Sequence, residues 1–241
     1  MRLQVFLSHS GVCSRRRALD LIKQGCVLVN AQLVCEPSFQ VNPEKDKVLL
    51  EGVPIQVKRF EYIILNKPKG VTTTKEDKFA KKTVMDLLPK ELQHLYPVGR
   101  LDKDTGGLLL LTNNGKLAHT LMHPSFEIDK VYWVEVKGAL KENDQRRLEK
   151  GIILQGQKTA ACKIRVLTQR PKTTILEITL HEGRKRQIRE SFKKLGYPVL
   201  GLKRIKEGPI ALASLAPGKW RALSEPEVSK LKALMSKRVS S

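Results

Sequence analysis

Two acidic side chains in a glycine-rich stretch are the first residues of this sequence that could do chemistry. Asp102 and Asp104 lie within residues 97–107, and four leucines follow at 108–111. Successive leucines predict a buried strand, and glycines before it allow a sharp turn and close approach of another molecule. Asp102 is therefore presented beside Arg100 at the start of a packed strand, where a carboxylate is costly unless paired or functional. A turn whose Asp side chains bond the backbone is the alternative interpretation.

The charge balance of the chain indicates a polyanionic partner. Lys and Arg total 45 against 24 Asp and Glu, a net charge of +21 over 241 residues. Such an excess favours nucleic acid first and an anionic membrane second. We find no apolar run of about 18 residues, no signal-peptide pattern and no lipidation motif, so we expect no membrane partner.

The candidate metal ligands are few and poorly spaced. The cysteines are Cys13, Cys26, Cys35 and Cys162. None forms a C-x-x-C pair, which argues against zinc and suits a reduced cytosolic protein with small buried thiols. His119 and His123 could suggest a metal or acid–base site, but a His on a helix beside a proline is more often a surface or capping residue. We therefore predict no metal.

Residues 1–52 form a first predicted unit. Leu3, Phe6 and Leu7 have helical spacing, Ser14 is a plausible N-cap for a second helix ending at Gly25, and strands follow near 27–34 and 48–50. The first turn of the second helix holds three arginines, Arg15, Arg16 and Arg17. Cations are disfavoured at a helix N-terminus, so a phosphate backbone would compensate them. A solvated cluster is the alternative. Residues 53–60 are predicted to be a linker.

Residues 61–241 form the second predicted unit, which opens with a strand at 62–65 and a basic turn containing Lys67. A clean alternation at 130–136 predicts a strand that carries Tyr132 on one face. A helix is predicted at 140–148 and strands at 160–167 and 173–180. A terminal helix is predicted from Pro226.

The densest basic segment begins at Glu182, where a glycine turn enters a helix predicted to end at Leu195. It contains Arg184, Lys185, Arg186 and Arg189. At a helix start these side chains would grip phosphates, although a solvated charged face is the alternative.

Two resemblances follow from these motifs. Residues 2–3, 10–11, 14–16 and 27–30 resemble the small RNA-binding module shared by a ribosomal small-subunit protein and some tRNA synthetases. Residues 65–70, 99–107, 123–124, 130–132, 182–189 and 202–205, in this order, resemble the pseudouridine synthases of the RsuA/RluB type. The departures are Val5 for a usual Lys, Ala31 for Gly, Asn114 for Asp, and Glu190 with Ser191 for a more basic continuation.

The resemblance implies an α+β fold, in which a small α/β RNA-binding module precedes a mixed, mainly antiparallel β-sheet catalytic domain with flanking helices. It implies that Asp102 is the catalytic aspartate, that Tyr132 is the general base and stacks near the target base, and that Arg189 pairs with the aspartate. No metal and no organic cofactor are implied. The expected reaction turns a uridine of ribosomal RNA, with the large subunit favoured, into pseudouridine.

The residues expected to bind RNA are Arg15, Arg16, Arg17, Lys67, Arg100, Arg184, Lys185 and Arg186. An ionised Asp102 suits a nucleophile at a glycosidic bond, and an arginine partner would keep it ionised. The target uridine must first leave its stack, which needs a basic groove and an aromatic platform. We expect a cytoplasmic monomer acting on ribosomal RNA or a ribosome-assembly intermediate.

Two other functions compete with this interpretation. Residues 102–105 fit the D-x-D-x-T pattern of the haloacid-dehalogenase phosphatases, but that class needs an apolar strand directly before its first Asp. Here Pro97 to Arg100 precede it, and the apolar run follows. The other alternative is a non-catalytic RNA-binding ribosome-assembly factor, against which the joint presence of Asp102, Tyr132 and Arg189 argues.

Overall fold

The computed structural model of the chain describes residues 1–77 and 79–236, which divide into two compact units. The first comprises Met1–Glu61 with Glu91–Leu95. The second comprises the described residues of Tyr62–Lys90 and those from Tyr96 onward. The division differs from the sequence boundaries because Glu91–Leu95 belongs to the first unit, where the imidazole of His94 lies 3.0 Å from the carboxylate of Glu61.

The first unit packs two helices on a small antiparallel sheet. Its elements are α1 (Leu3–His9), α2 (Arg15–Lys23), β1 (Val27–Val29), β2 (Gln32–Leu33), β3 (Val48–Leu50) and β4 (Val53–Ile55). The strand order is β2-β1-β3-β4. Leu3, Phe6 and Leu7 are buried in one core with β1 and β3, as their helical spacing predicts. The Ser14 side chain accepts a hydrogen bond from the Arg17 amide at 3.2 Å, which confirms it as the N-cap of α2.

The prediction that residues 53–60 are a linker is wrong for its first part. Val53–Ile55 is a strand that pairs with β3, with Leu50 opposite Val53 and Val48 opposite Ile55. Pro54 favoured a linker, but β4 is the edge strand of its sheet, where a proline is tolerated because an edge leaves backbone donors unpaired.

The second unit is built on a nine-stranded sheet. In chain order its elements are β5 (Tyr62–Lys67), β6 (Tyr96–Pro97), β7 (Gly106–Thr112), α3 (Gly115–Met122), β8 (Lys130–Lys137), α4 (Glu142–Glu149), β9 (Ile153–Leu154), β10 (Gln157–Lys158), β11 (Lys163–Gln169), β12 (Thr173–Leu180), α5 (Gln187–Lys194), β13 (Val199–Glu207), β14 (Ile210–Ala211), β15 (Trp220–Ala222) and α6 (Glu225–Ser236), with short 3-10 turns at Val84–Leu87, Lys90–Leu92 and Pro124–Phe126.

The strand order of the large sheet is β11-β12-β8-β13-β7-β5-β15, with β14 on β13 and β6 on β7. Strands β13 and β7 run parallel, and the other pairs described in this sheet are antiparallel. The separate β9–β10 hairpin is also antiparallel. The predicted fold class, a mixed and mainly antiparallel sheet with flanking helices after a small α/β module, is confirmed.

Strand β7 lies in the interior of the second unit. All four leucines of 108–111 are fully buried, as predicted, and Leu108 and Leu110 pack against α3 and α6. Asn114 caps α3: its Oδ1 accepts from the Leu117 amide at 3.1 Å, and its Nδ2 donates to the Tyr62 hydroxyl at 3.0 Å. The loop that leads into β7 is thus attached to a strand whose four leucines are fully buried.

Candidate active site

The turn at residues 101–105 leads into β7 and carries Asp102. The amide of Thr105 donates to the carbonyl of Asp102 at 3.0 Å, which closes the turn. From outside the turn, the hydroxyl of Thr73 donates to the carbonyl of Leu101 at 2.8 Å. Because both its ends are tied by hydrogen bonds, the turn holds the half-buried Asp102 side chain in one place.

The side chain of Lys67 supports this turn from within the unit. It is fully buried, and its Nζ donates to the carbonyls of Val71 at 2.7 Å and Lys103 at 3.4 Å. Burial lowers the pKa of Lys67 to about 8, although Asp104 and Asp102 act in the opposite direction. The structure does not support the prediction that Lys67 binds RNA, because its ammonium donates to backbone carbonyls and the residue is buried.

A cavity of about 630 Å³ opens beside the turn. It brings together Asp102, Tyr132 of β8 and the segment that precedes α5. Four of the basic residues predicted to bind RNA also line it, namely Arg100, Arg184, Lys185 and Arg186. The Thr105 hydroxyl lines it too; the residue is only 2% exposed, and within the described part of the chain this oxygen has no hydrogen-bond partner. Such a group is available to a bound ligand.

Tyr132 extends from the central region of the sheet toward this cavity. It stands opposite Arg204 in the β8–β13 register. Burial raises the pKa of Tyr132, Arg204 lowers it through its charge and by hydrogen bonding, and Glu207 and Asp102 raise it. Asp102 and Tyr132 both line the cavity, so the two side chains that the resemblance assigns to the chemistry share one cleft.

Arg204 and Glu207 are the charged residues of this region that the sequence reasoning did not single out. Each is 2% exposed, and an Arg204 guanidinium nitrogen lies 3.1 Å from a Glu207 carboxylate oxygen. The available signal was the stretch 202–205, which formed part of the resemblance but carried no assigned role. Its alternation of apolar and charged residues does not reveal which charges point inward.

The partner of Arg189 is Asp104, which corrects the expected pair with Asp102. The Arg189 Nε lies 3.2 Å from an Asp104 carboxylate oxygen, and its Nη2 donates to the Asp104 carbonyl at 2.9 Å. The Nη1 of Arg186 donates to the same carboxylate at 3.2 Å. Arg186 is the N-cap of α5 with a φ of +54°, and Arg189 lies in the first turn of that helix, so the start of α5 brings two arginines to one carboxylate. Arg189 does not itself line the cavity.

The basic residues of the cavity differ in how much of their charge is free to meet a ligand. The Arg184 guanidinium donates to the carbonyls of Leu154 at 3.0 Å and Gln157 at 3.3 Å, so it holds the β9–β10 hairpin. Arg100 and Lys185 are exposed at the rim. We infer that these two present their charge to solvent while Arg184 mainly positions backbone.

The three arginines of α2 are exposed on the first unit. Arg15, Arg16 and Arg17 make up the first turn of the helix, and no acidic residue accompanies them there. The unfavourable charge at the positive end of the helix dipole is therefore present in the folded unit, as the sequence predicted.

His123 has the local role expected from its place before a proline. Its Nδ1 accepts from the Ser125 amide at 3.3 Å, which caps the short turn that follows. Within residues 1–77 and 79–236 no group of three or more His, Cys, Asp or Glu side chains is arranged to hold a metal ion. No helix of the described chain is both long and apolar enough to cross a bilayer.

Comparison with known proteins decides the family. Residues 61–194 match the RNA pseudouridylate synthase family, and residues 1–48 match the S4 domain. The chain belongs to the RNA pseudouridylate synthase family. The resemblance inferred from the motifs is confirmed, as is the class of enzyme that it implied.

Individual relatives support the same family over the full length of the synthase. This chain is 42% identical to the ribosomal large subunit pseudouridine synthase B of Bacillus subtilis (strain 168), over 97% of this chain and 96% of that protein. An uncharacterized RNA pseudouridine synthase of Aquifex aeolicus (strain VF5) is 41% identical over 96% and 93%. A crystal structure of a pseudouridylate synthase superimposes with a TM-score of 0.69 at 31% identity, covering 96% of this chain and 99% of that one.

Proposed function

We propose that this synthase converts a uridine of ribosomal RNA, with the large subunit favoured, into pseudouridine. The observation that carries the proposal is the joint presence of Asp102 and Tyr132 in one cavity with a basic rim. The preference for the large subunit is supported by the name of the Bacillus relative, a ribosomal large subunit pseudouridine synthase. A cavity of about 630 Å³ lies within the usual range for small-molecule sites and suits a nucleoside.

In the proposed reaction, Asp102 is the nucleophile and the target uridine is flipped out of its stack. The carboxylate displaces N1 of the uracil from C1′ of the ribose, and the uracil turns within the cavity. C5 then bonds to C1′ and releases the carboxylate, while one proton leaves C5 toward Tyr132 and one is taken up at N1. Atoms balance as an isomerisation, with no change of oxidation state and no cofactor required.

The basic side chains would supply binding rather than chemistry. Arg100 and Lys185 at the rim would contact phosphates beside the flipped nucleotide, and Arg15 to Arg17 of the first unit would contact other phosphates of the RNA. Arg189 and Arg186 would act through Asp104 on the turn that carries Asp102. We expect a monomer that works in the cytoplasm, a compartment that the four free cysteines suit.

The test is a map of pseudouridines in ribosomal RNA from cells with and without this protein. We expect one or a few sites to disappear on deletion and to return with the wild-type gene but not with Asp102→Asn. Unchanged maps would reject the substrate, and recovery with the Asp102 variant would instead favour a non-catalytic assembly factor.

Replacing two arginines of α2 should weaken RNA binding without touching the cavity. For the double variant Arg15→Ala with Arg16→Ala, the slope of log affinity against log salt should flatten by about 1.5, because two phosphate contacts no longer release counterions. Binding of a ribosomal RNA fragment at several salt concentrations measures this slope. The matched control removes the same charge at Lys45 and Lys47, which are exposed elsewhere in the first unit. Equal slopes for both double variants would contradict a specific role for α2.

A further inference from the structure

Arg204 is a buried cation on β13, the strand that lies between β8 and β7 in the large sheet. On β13 it stands opposite Tyr132 of β8 and opposite Gly107 of β7. Gly107 allows the contact between β7 and β13, since a Cβ at this position would lie 2.2 Å from the carbonyl oxygen of Arg204. Arg204 thus sits between the strand that follows the Asp102 turn and the strand that carries the phenol.

Three groups surround the Arg204 guanidinium and fix its orientation. Its Nε donates to the Leu108 carbonyl of β7 at 2.8 Å, and the Glu207 carboxylate lies 3.1 Å from another nitrogen. Tyr132 is the third neighbour, because it stands directly opposite Arg204 in the β8–β13 register and so carries its side chain on the same face of the sheet. Leu108 belongs to β7, Tyr132 to β8 and Glu207 to β13 three residues after Arg204, so Arg204 has neighbours on all three strands.

Burying this pair is costly for stability alone. Two charges removed from water lose several kcal/mol of solvation each, and apolar side chains of similar volume often serve a core as well or better. Both residues are 2% exposed, so solvent recovers almost none of this loss. We therefore expect the Arg204–Glu207 pair to have a role beyond packing, beside the phenol that we assign to the reaction.

The chemistry of arginine determines what it can do to Tyr132. A guanidinium only donates hydrogen bonds, so toward Arg204 the phenolic oxygen can act only as an acceptor, which leaves the phenolic proton for another group. Tyr132 lines the cavity that contains Asp102. We propose that Arg204, oriented by Glu207 and the Leu108 carbonyl, is a positioning residue that turns the proton-exchanging side of Tyr132 toward the substrate. This inference rests on the proposed function of the cavity.

Arg204 and Glu207 should influence the phenol in opposite directions. The charged groups that face it are Arg204 and Glu207 from β13 and Asp102 from the turn, while Lys130 of β8 interacts with the Arg204–Glu207 pair. Removing the cation should raise the pKa of Tyr132, and removing the Glu207 charge should lower it. A loss of packing alone would shift the pKa of Tyr132 in the same direction in both variants.

The test places a multiply fluorinated tyrosine at position 132 of the full chain, which lowers the phenol pKa into an accessible range and provides a fluorine NMR signal. We expect the titration midpoint to move to higher pH in Arg204→Met and to lower pH in Glu207→Gln. If Arg204→Met does not fold, Glu207→Gln and Arg204→Lys still give a decisive comparison. A midpoint that is unchanged, or that moves in the same direction in both charge-removing variants, overturns the inference.

Turnover supplies the second measurement, made on the natural protein with ribosomal RNA tritiated at uracil C5. Arg204→Met should lose about 100-fold in kcat with KM little changed, because a misplaced general base affects the chemical step rather than RNA binding. Arg221→Met is the matched control, since it removes another arginine–glutamate pair, with 2.7 Å to Glu227, at a site outside the cavity. Full kcat in Arg204→Met overturns the inference. A wild-type protein that releases no tritium while the titrations shift as expected rejects the proposed function and leaves the placement of Tyr132 standing.

Discussion

Replacing Asp102 by asparagine is expected to abolish uridine isomerisation and to leave RNA binding nearly intact. The amide keeps the size and most of the hydrogen bonding of the carboxylate but cannot act as an anionic nucleophile at C1′. We expect a loss of at least about 10⁴-fold in kcat, or about 5 kcal/mol of transition-state stabilisation. Tritium release from RNA labelled at uracil C5 measures the rate, and filter binding at fixed salt measures the affinity.

The neighbouring acid provides a control of the same chemistry. Asp104→Asn removes the carboxylate that contacts Arg186 and Arg189, and so it loosens the support of the turn without removing the proposed nucleophile. Asp104 is half-exposed, so we expect only about a tenfold loss of rate. If Asp104→Asn were as inactive as Asp102→Asn, or if Asp102→Asn kept its activity, the assignment of the nucleophile would be wrong.

Replacing Gly107 by alanine is expected to destabilise the second unit by more than about 3 kcal/mol. Gly107 has a φ of +106°, which alanine adopts only with strain, and its Cβ would overlap the Arg204 backbone on the adjacent parallel strand. Strand β13 would have to separate from β7 at the point where both approach the cavity. Urea unfolding followed by tryptophan fluorescence reports on this unit, because Trp133 and Trp220 both belong to it.

Gly156→Ala separates strain from overlap in that experiment. Gly156 has a similar positive φ of +78°, but a Cβ there would meet nothing within 4 Å. We expect Gly156→Ala to lower the free energy of unfolding by about 1 kcal/mol, the effect of a left-handed alanine conformation alone. Equal losses in the two variants would mean that the close contact between β7 and β13 contributes nothing beyond backbone strain.

Many elements of this protein could be predicted because their signals are local. The helical spacing of Leu3, Phe6 and Leu7 and the Ser14 cap depend on residues within one or two turns, and the structure confirms them. The alternation in 130–136 and the four leucines of β7 likewise indicate strands from their own periodicity. Boundaries were less accurate where a long-range pairing decides them, as for the edge strand β4.

The site shows the same division between local and distant causes. Asp102 and Tyr132 could be proposed from the sequence because a glycine-rich turn before a buried strand and an alternating strand are short patterns, and the resemblance named both residues. Lys67 could not be placed, since a basic turn gives no sign that the ammonium folds inward onto the carbonyls of Val71 and Lys103.

The sequence by itself determined the family, the two-unit plan, the basic charge and the acid and phenol that we assign to the chemistry. Only the tertiary structure decided which charges meet: Arg189 with Asp104, and Arg204 with Glu207 behind Tyr132. The physical reason is that the ion pair of Arg189 with Asp104 depends on a few ångströms between groups 85 residues apart in the chain. Arg204 and Glu207 are close in the chain, but the pairing of β13 with β7 and β8 decides that both charges are buried there.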